Sequence, residues 1–115
     1  MNILRKYKMI VTVIKPMDVV TIKLSSSEEI VGMFVEKNST SLKLRKPLSL
    51  SMTQNGPALS PYFITGDVMN EASEVEFNIS TVVAMIKTYK PYADAYTQST
   101  TGLDLSNKSK TGLIL

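Results

Sequence analysis

The chain has 115 residues, a hydrophobic fraction of 43%, a charged fraction of 20% and a formal net charge of +3, which is typical of one soluble globular domain. It contains neither cysteine nor histidine, and this excludes disulfides, thiol nucleophiles, His-based triads and zinc-finger sites. No apolar run approaches the ~18 residues of a membrane span, and the first residues lack a signal-peptide cleavage site. We therefore expect a cytoplasmic protein with no membrane partner, cofactor or bound metal.

The charges are unevenly distributed along the chain. Residues 1–46 carry nine Lys or Arg against four Asp or Glu, whereas residues 47–86 carry four acidic residues and no basic one. A chain polarised in this way favours either head-to-tail self-association or a one-sided basic patch for phosphate groups.

The first predicted strand covers residues 9–14 (MIVTVI), which are dense in β-branched residues and are followed by the strand-ending Pro16. The residues before it, 1–8, fit either a short helical turn or a basic arm. Alternation of apolar and polar residues predicts a second strand over 20–24, and SSSEE at 25–29 predicts a turn.

Gly32 lies inside the next predicted strand, 30–35, which is apolar on both faces. A glycine weakens a strand unless the sheet must bend sharply or another backbone passes close. In small barrels such a bend lets the sheet close on itself. The sequence therefore predicts a strongly bent sheet at this position.

A long hairpin follows. Alternation over 41–52 predicts a strand with leucines on one face and Lys43 and Arg45 on the solvent face. Pro47 indicates that the second half of this strand lies at a sheet edge or projects beyond the sheet. Because Asn55-Gly56 suits a tight turn, we expect the hairpin to run out along 41–53 and return along 58–65.

Two more strands are predicted, at 74–79 and 82–89, with Ser80 and Thr81 as a short link between them. Hydroxyl side chains suit such a link because they can bond the local backbone. Many short strands, hardly any helix and one glycine bend predict an all-β fold, a small, strongly bent antiparallel barrel of five or six strands with an extended hairpin.

The chain loses apolar density after Tyr92, so we expect a barrel domain over residues 1–91 and a C-terminal tail over 92–115. The tail contains two near copies, STTGLDL at 99–105 and SKTGLIL at 109–115. Two copies are too few for a solenoid, which needs about three or more repeats. The tail is either disordered or a docking segment whose leucines pack on a neighbouring subunit or another protein partner.

The order of strands, the glycine-bent strand around Gly32 and the segment ISTVV at 79–83 together resemble the Sm/Lsm-like family over residues 17–90. Within that family the closest resemblance is to bacterial Hfq and to divergent phage-type members. The resemblance implies that the last strand leaves its own sheet after Ser80-Thr81 and pairs with the next protomer, closing a homo-oligomeric ring. The implied interface residues are Ser80, Thr81, Val82, Val83 and Met85.

The resemblance also implies a nucleotide-facing loop after the glycine-bent strand. The candidate contacts to RNA are Lys37, Asn38, Ser39 and Thr40 in that loop, with Lys43 and Arg45 on the exposed strand face. At the positions of the Lys-His pair of Hfq this chain carries Glu76 and Phe77, and an anion there repels phosphate. A rival alignment places the family's second motif on ITGD at 64–67 with Thr65 in place of its arginine, but leaves 82–89 outside the barrel.

A further candidate surface is the stretch Arg5-Lys6-Tyr7-Lys8, which mixes cations with an aromatic ring as single-strand-binding surfaces do. No motif organises carboxylates, lysines or hydroxyls into a catalytic site, so an enzyme is not expected. The first hypothesis is a ring-forming Sm-like protein that binds RNA or other single-stranded nucleic acid without catalysis. The alternative is a structural or adaptor ring that binds protein, for example in a phage assembly.

Overall fold

The computed structural model describes residues 13–63, 65–67 and 73–101, which form six strands and one α-helix. In chain order these are β1 Val19–Leu24, β2 Glu29–Lys37, β3 Ser41–Thr53, β4 Gly56–Pro61, β5 Glu74–Asn78, a 3₁₀ helix Ile79–Thr81, β6 Val82–Lys87 and helix α1 Lys90–Thr100. The predicted strands from residue 20 onward are confirmed. The strand predicted over 9–14 falls mostly outside the described residues, and its last two residues are not in a strand.

All six strands belong to one antiparallel sheet in the order β4-β3-β2-β1-β6, with β5 also paired to β3. The long strand β3 shares its outer edge between two partners. Its first half, from Ser41 to Arg45, pairs with β5, and its second half, from Leu48 to Thr53, pairs with β4.

The sheet is strongly curved. Strands β5 and β6 lie at opposite ends of the path β5-β3-β2-β1-β6, and in a flat sheet they would stand about 19 Å apart, since neighbouring strands are spaced ~4.8 Å apart. The 3₁₀ helix that joins them has three residues and rises only ~2 Å per residue. The sheet must therefore curl to bring its two edges toward each other.

The predicted closed barrel is not formed. Among the described residues no ladder joins β6 to β5 or to β4. The fold is thus mostly β, an open, curved antiparallel sheet with one helix.

Gly32 lies where the register of β2 against β3 shifts, between Val31 and Met33. A Cβ at Gly32 would stand 3.1 Å from Leu44 Cδ1 and 3.3 Å from the carbonyl oxygen of Arg45. Another backbone thus passes close to Gly32, which is the second of the two reasons for a glycine inside a strand. On the opposing strand the bend falls at Lys46, whose φ of 48° is left-handed, and at the buried Pro47.

The partner of β3 changes at this bend, from β5 before it to β4 after it. Strand β2 reaches only as far as the pair Glu29–Leu50. The last residues of β3, Ser51 to Thr53, pair with β4 alone. The second half of the strand therefore projects beyond the sheet, one of the two placements predicted from Pro47.

Apolar side chains pack on both faces of the sheet. Successive residues of β2 point to opposite faces. Ile30 belongs to the cluster on the concave face, and Val31 belongs to the cluster under helix α1. The concave cluster consists of Val20, Ile22, Leu24, Ile30, Leu42, Leu44 and Phe77. The prediction that β2 is apolar on both faces is confirmed.

Helix α1 occupies residues that the sequence places in a tail beginning at residue 92. Its Tyr96 is fully buried against Val31, Leu48 and Leu59. The helix was not predicted because the segment has few apolar residues. One aromatic side chain supplies much of the surface that the helix buries. The rest of the tail, 102–115, lies outside the described residues. The described helix is too short and too polar to span a membrane.

Candidate functional site

The loop between β2 and β3 is held by the side chain of Asn38. Its Oδ1 accepts from the backbone N–H groups of Thr40 and Ser41, both at 2.8 Å, and from their hydroxyls at 3.1 and 3.3 Å. This arrangement is an Asx turn. The predicted nucleotide contact Asn38 therefore uses its carbonyl oxygen to shape the loop, which leaves its amide group as the donor that a ligand could reach.

A second asparagine, which is not among the residues predicted from the sequence, shapes the link between β5 and β6. Asn78 caps the 3₁₀ helix by accepting through Oδ1 from the N–H and the hydroxyl of Ser80, both at 3.0 Å. The hydroxyl of Thr81 donates to the carbonyl oxygen of Asn78 at 2.7 Å. The predicted bonding of hydroxyls to the local backbone is confirmed for Thr81. The signal that could have revealed the cap is an asparagine two residues before a serine at a strand end.

These two turns lie side by side. The N–H of Ile79 donates to the carbonyl oxygen of Thr40 at 3.0 Å, and Ser41 stands opposite Asn78 in the sheet register. We call residues 37–40 and 78–81 the loop cluster. The structure thus brings the predicted nucleotide-facing loop together with Ser80 and Thr81, which the sequence assigns to an oligomer interface.

The predicted cations of β3 are paired with carboxylates. Lys43 Nζ lies 3.2 Å from Glu36 and the Arg45 guanidinium 3.3 Å from Glu74, while Glu76 stands opposite Lys43. Hydrogen bonding to Glu36 raises the pKa of Lys43 above its usual value. This ion-pair strip holds three carboxylates and two cations, so its field is not positive.

Lys37 differs from these cations. It is exposed at the end of β2 and makes no ion pair within the part of the chain that the structure describes. It stands next to the hydroxyls of Ser39 and Thr40, which are also exposed. A cation beside hydroxyl and amide donors is the combination that contacts phosphate and sugar oxygens in nucleic-acid complexes.

Strand β6 stays in its own sheet, which corrects the expectation that it leaves to join the next protomer. It pairs with β1 from Val82 opposite Leu24 to Lys87 opposite Val20. This pairing satisfies the backbone groups of β1, which would otherwise be left without partners. Of the two edges of β6, the outer one has no strand partner among the described residues.

The predicted interface residues divide between two environments. Val82 and Met85 pack against the concave core, whereas Ser80 and Thr81 are exposed. Val83 is exposed at 67%, and so is the neighbouring Ile86 at 64%. The exposed apolar side chains of β6 thus border its open edge.

The free edges of the sheet differ in proline content. Strand β4 contains Pro57 and Pro61, and a proline fits a strand only where its missing N–H faces away from the neighbouring strand. Its outer edge therefore lacks two donors and is a poor template for another strand. Strands β5 and β6 contain no proline, so both of their outer edges can accept a partner.

Neither a scan with protein-family models nor a search of curated proteins finds a match to this chain. The described residues contain no group of three or more side chains placed to hold a metal ion. The loop cluster and the two proline-free edges are therefore the features from which a function can be inferred.

Proposed function

We propose that this chain is an Sm-like subunit of a closed homo-oligomeric ring that binds single-stranded nucleic acid, RNA above all, without catalysis. The observation that carries the proposal is the pair of proline-free outer edges, on β5 and β6, joined by a three-residue 3₁₀ helix. An edge of this kind is an aggregation hazard unless a neighbour covers it.

The arrangement of strands supports the Sm-like assignment. The resemblance in the sequence rests on the order of strands along the chain, on Gly32 and on ISTVV at 79–83, and the bend at Gly32 and the one-turn link at 79–81 agree with it. The strongly curved sheet agrees with it, although the sheet is open within one chain. In the proposed ring, β6 of each copy pairs with β5 of the next copy, and this repeated heterologous contact closes on itself.

The loop cluster supplies the nucleic-acid contacts in this proposal. Lys37, the Asn38 amide and the hydroxyl of Ser39 recur in every copy, so a ring presents them as a repeated set. The ion-pair strip contributes less, because phosphate must compete with Glu36 for Lys43 and with Glu74 for Arg45.

The ring is tested by introducing a negative or a positive charge at the same exposed position. Ile86 projects from the solvent face of β6, opposite Thr21, and the proposed contact places it beside the partner subunit's Glu74 or the partner subunit's Glu76 on the same face. Ile86→Glu should reduce assembly by adding a third carboxylate there, whereas the matched variant Ile86→Lys should preserve it. Particle mass from light scattering reads out both. Monomeric wild-type protein, or equal assembly of the two variants, would contradict the edge contact.

Nucleic-acid binding is tested by fluorescence anisotropy with short U-rich and A-rich RNA at two salt concentrations. Lys37→Gln should weaken binding and reduce the salt slope by about one unit, as loss of one phosphate contact does. The control Lys23→Gln loses the same charge from a lysine already paired with Glu29 at 3.2 Å and should change binding less. No binding by the wild-type ring at low salt would eliminate the nucleic-acid role.

The alternative function, a structural or adaptor ring that binds protein, is favoured by one observation. The ion-pair strip carries more carboxylates than cations, which opposes a polynucleotide along that face. If this function is correct, the ring is intact and does not bind RNA. Deletion of residues 102–115 should then abolish binding of the protein partner.

A further inference from the structure

We infer that the junction between β6 and α1 is a second contact for single-stranded nucleic acid, where a base stacks on Tyr89 and phosphates meet neighbouring lysines. The junction patch consists of Lys87, Tyr89, Lys90 and Tyr92. This inference rests on the proposed binding of single-stranded nucleic acid, and it places a contact away from the loop cluster.

The ring of Tyr89 is open to solvent. The residue is 71% exposed, so its aromatic ring is accessible to a ligand. The ring of Tyr92 stands against it edge-on, with centroids 5.9 Å apart and an interplanar angle of 68°. Tyr92 therefore braces Tyr89 from one side and leaves surface of the Tyr89 ring free for a stacking partner.

The backbone holds Tyr89 in place from both directions. On one side, the N–H of Thr88 donates to the carbonyl oxygen of Val19 at 3.1 Å. On the other, the N–H groups of Tyr92 and Ala93 donate to the carbonyl oxygen of Tyr89, both at 2.9 Å. A ring presented from an anchored backbone loses little conformational freedom when it binds, which favours recognition.

Lys90 is the lysine of the patch that can most readily exchange its partner for phosphate. Lys90 lies 3.0 Å from Asp94 in an exposed i,i+4 pair, and Lys87 lies 3.5 Å from Asp18. Asp18 also accepts a hydrogen bond from the N–H of Lys15 at 2.8 Å. The Lys90–Asp94 side chains are 83% and 66% exposed, so this pair is weak. A polyanion can therefore displace Asp94 more readily than the less exposed carboxylates of the ion-pair strip.

The residues that precede β1 in the sequence are basic. Residues 1–15 contain the cations Arg5, Lys6, Lys8 and Lys15 and no acidic residue. Lys15 is joined through Asp18 to Lys87, so the backbone of this last cation of the segment lies beside the patch.

Charge and aromatic rings therefore occur together here, which they do not on the ion-pair strip. The patch reads Lys-Thr-Tyr-Lys-Pro-Tyr over residues 87–92, and surfaces that bind single strands combine cations that follow the backbone with aromatic rings on which bases stack. Stacking accepts every base, so the patch should show little sequence preference.

The test compares Tyr89→Ala with Tyr89→Trp in the full-length protein, using fluorescence anisotropy with a short U-rich RNA. We expect Tyr89→Ala to bind about tenfold more weakly, as loss of one stacked base does, and Tyr89→Trp to bind as tightly as wild type or more tightly. Lys90→Gln should reduce the salt slope by about one unit, and Tyr89→Ala should leave that slope unchanged. Light scattering of each variant checks the particle mass.

Three results would overturn the inference. Binding by Tyr89→Ala equal to wild type would remove the stacking contact, and if Lys37→Gln still weakened binding, the proposed function would stand without it. A changed particle mass for Tyr89→Ala would make Tyr89 a contact between protein subunits instead. Absence of RNA binding by the wild type would remove both the inference and the nucleic-acid function.

Discussion

The hydroxyl oxygen of Tyr96 lies 2.8 Å from the carbonyl oxygen of Lys46, fifty residues earlier in the chain. The same hydroxyl is 3.0 Å from the carbonyl oxygen of Arg45, and burial raises the pKa of Tyr96 well above its usual value. In the opposite direction, the side chain of Lys46 donates to the carbonyl oxygen of Thr100 at 3.0 Å. Thr100 is the last residue of the helix, and a cation is favoured at the C-terminal end of a helix. Helix α1 is therefore fastened to the bend of β3 at two points.

Tyr96→Phe should destabilise the protein by about 1–3 kcal/mol, because it removes the hydroxyl and leaves buried carbonyl oxygens without that donor. Urea denaturation followed by circular dichroism measures the change. The control Tyr92→Phe alters a half-buried tyrosine of the same helix and should stay within about 0.5 kcal/mol of wild type. Equal stability of Tyr96→Phe and wild type would show that the hydroxyl does not help to hold the helix.

Gly32→Ala should destabilise the sheet by about 1–3 kcal/mol, since the new methyl group would press on Leu44 and on the carbonyl oxygen of Arg45. The backbone oxygen belongs to a paired strand and cannot move aside cheaply. Gly66→Ala is the matched comparison, because its Cβ would come equally close, 3.1 Å, to the Cβ of Phe63, but there the neighbour is an exposed residue outside the strands. Thermal melting of both variants gives the comparison, and equal melting temperatures would refute the close approach at Gly32.

Asn78→Ala should cost about 0.5–2 kcal/mol, the usual effect of removing an N-terminal cap. The reason is that the bonds from the N–H and the hydroxyl of Ser80 lose their acceptor. Asn78→Asp keeps an acceptor at the same place and should retain most of the stability. Hydrogen exchange of the amide of Ser80 reports the cap directly, and it should accelerate in the alanine variant only.

Stability should fall in acid partly through Asp18. The hydrogen bond from the N–H of Lys15, and after it the charge of Lys87, lower the pKa of Asp18 below its ordinary 3.8. A carboxylate with a lowered folded pKa stabilises the fold above its unfolded pKa, and this contribution is lost as pH falls through the folded pKa. Asp18→Asn should therefore flatten the decline in stability below about pH 4. A decline as steep as in the wild type would mean that Asp18 is not linked to folding.

The strands were predictable because alternation and turn residues act locally. Asn55-Gly56 indicates its turn from backbone preference alone, and Gly32 indicates the bend because few other roles explain a glycine in an apolar strand. Helix α1 was not predicted, because the burial of Tyr96 depends on a partner fifty positions away. No local pattern carries that contact.

The candidate site was predictable only in part. The loop residues after β2 were identified, but the pairing of Lys43 with Glu36 depends on a register shift between Phe34 and Glu36, which periodicity does not reveal. The partner of β6 was missed for a similar reason. A sequence indicates that a strand exists more readily than it indicates which neighbours flank it.

The two prolines of β4 have a consequence for how copies can join. Among the described residues they leave two competent edges, one on β5 and one on β6, and they disable the edge of β4. Subunits that join through two edges can extend a row of copies or close it into a ring, but they cannot branch. In the proposed ring, the hairpin can therefore project outward without cross-linking one particle to another.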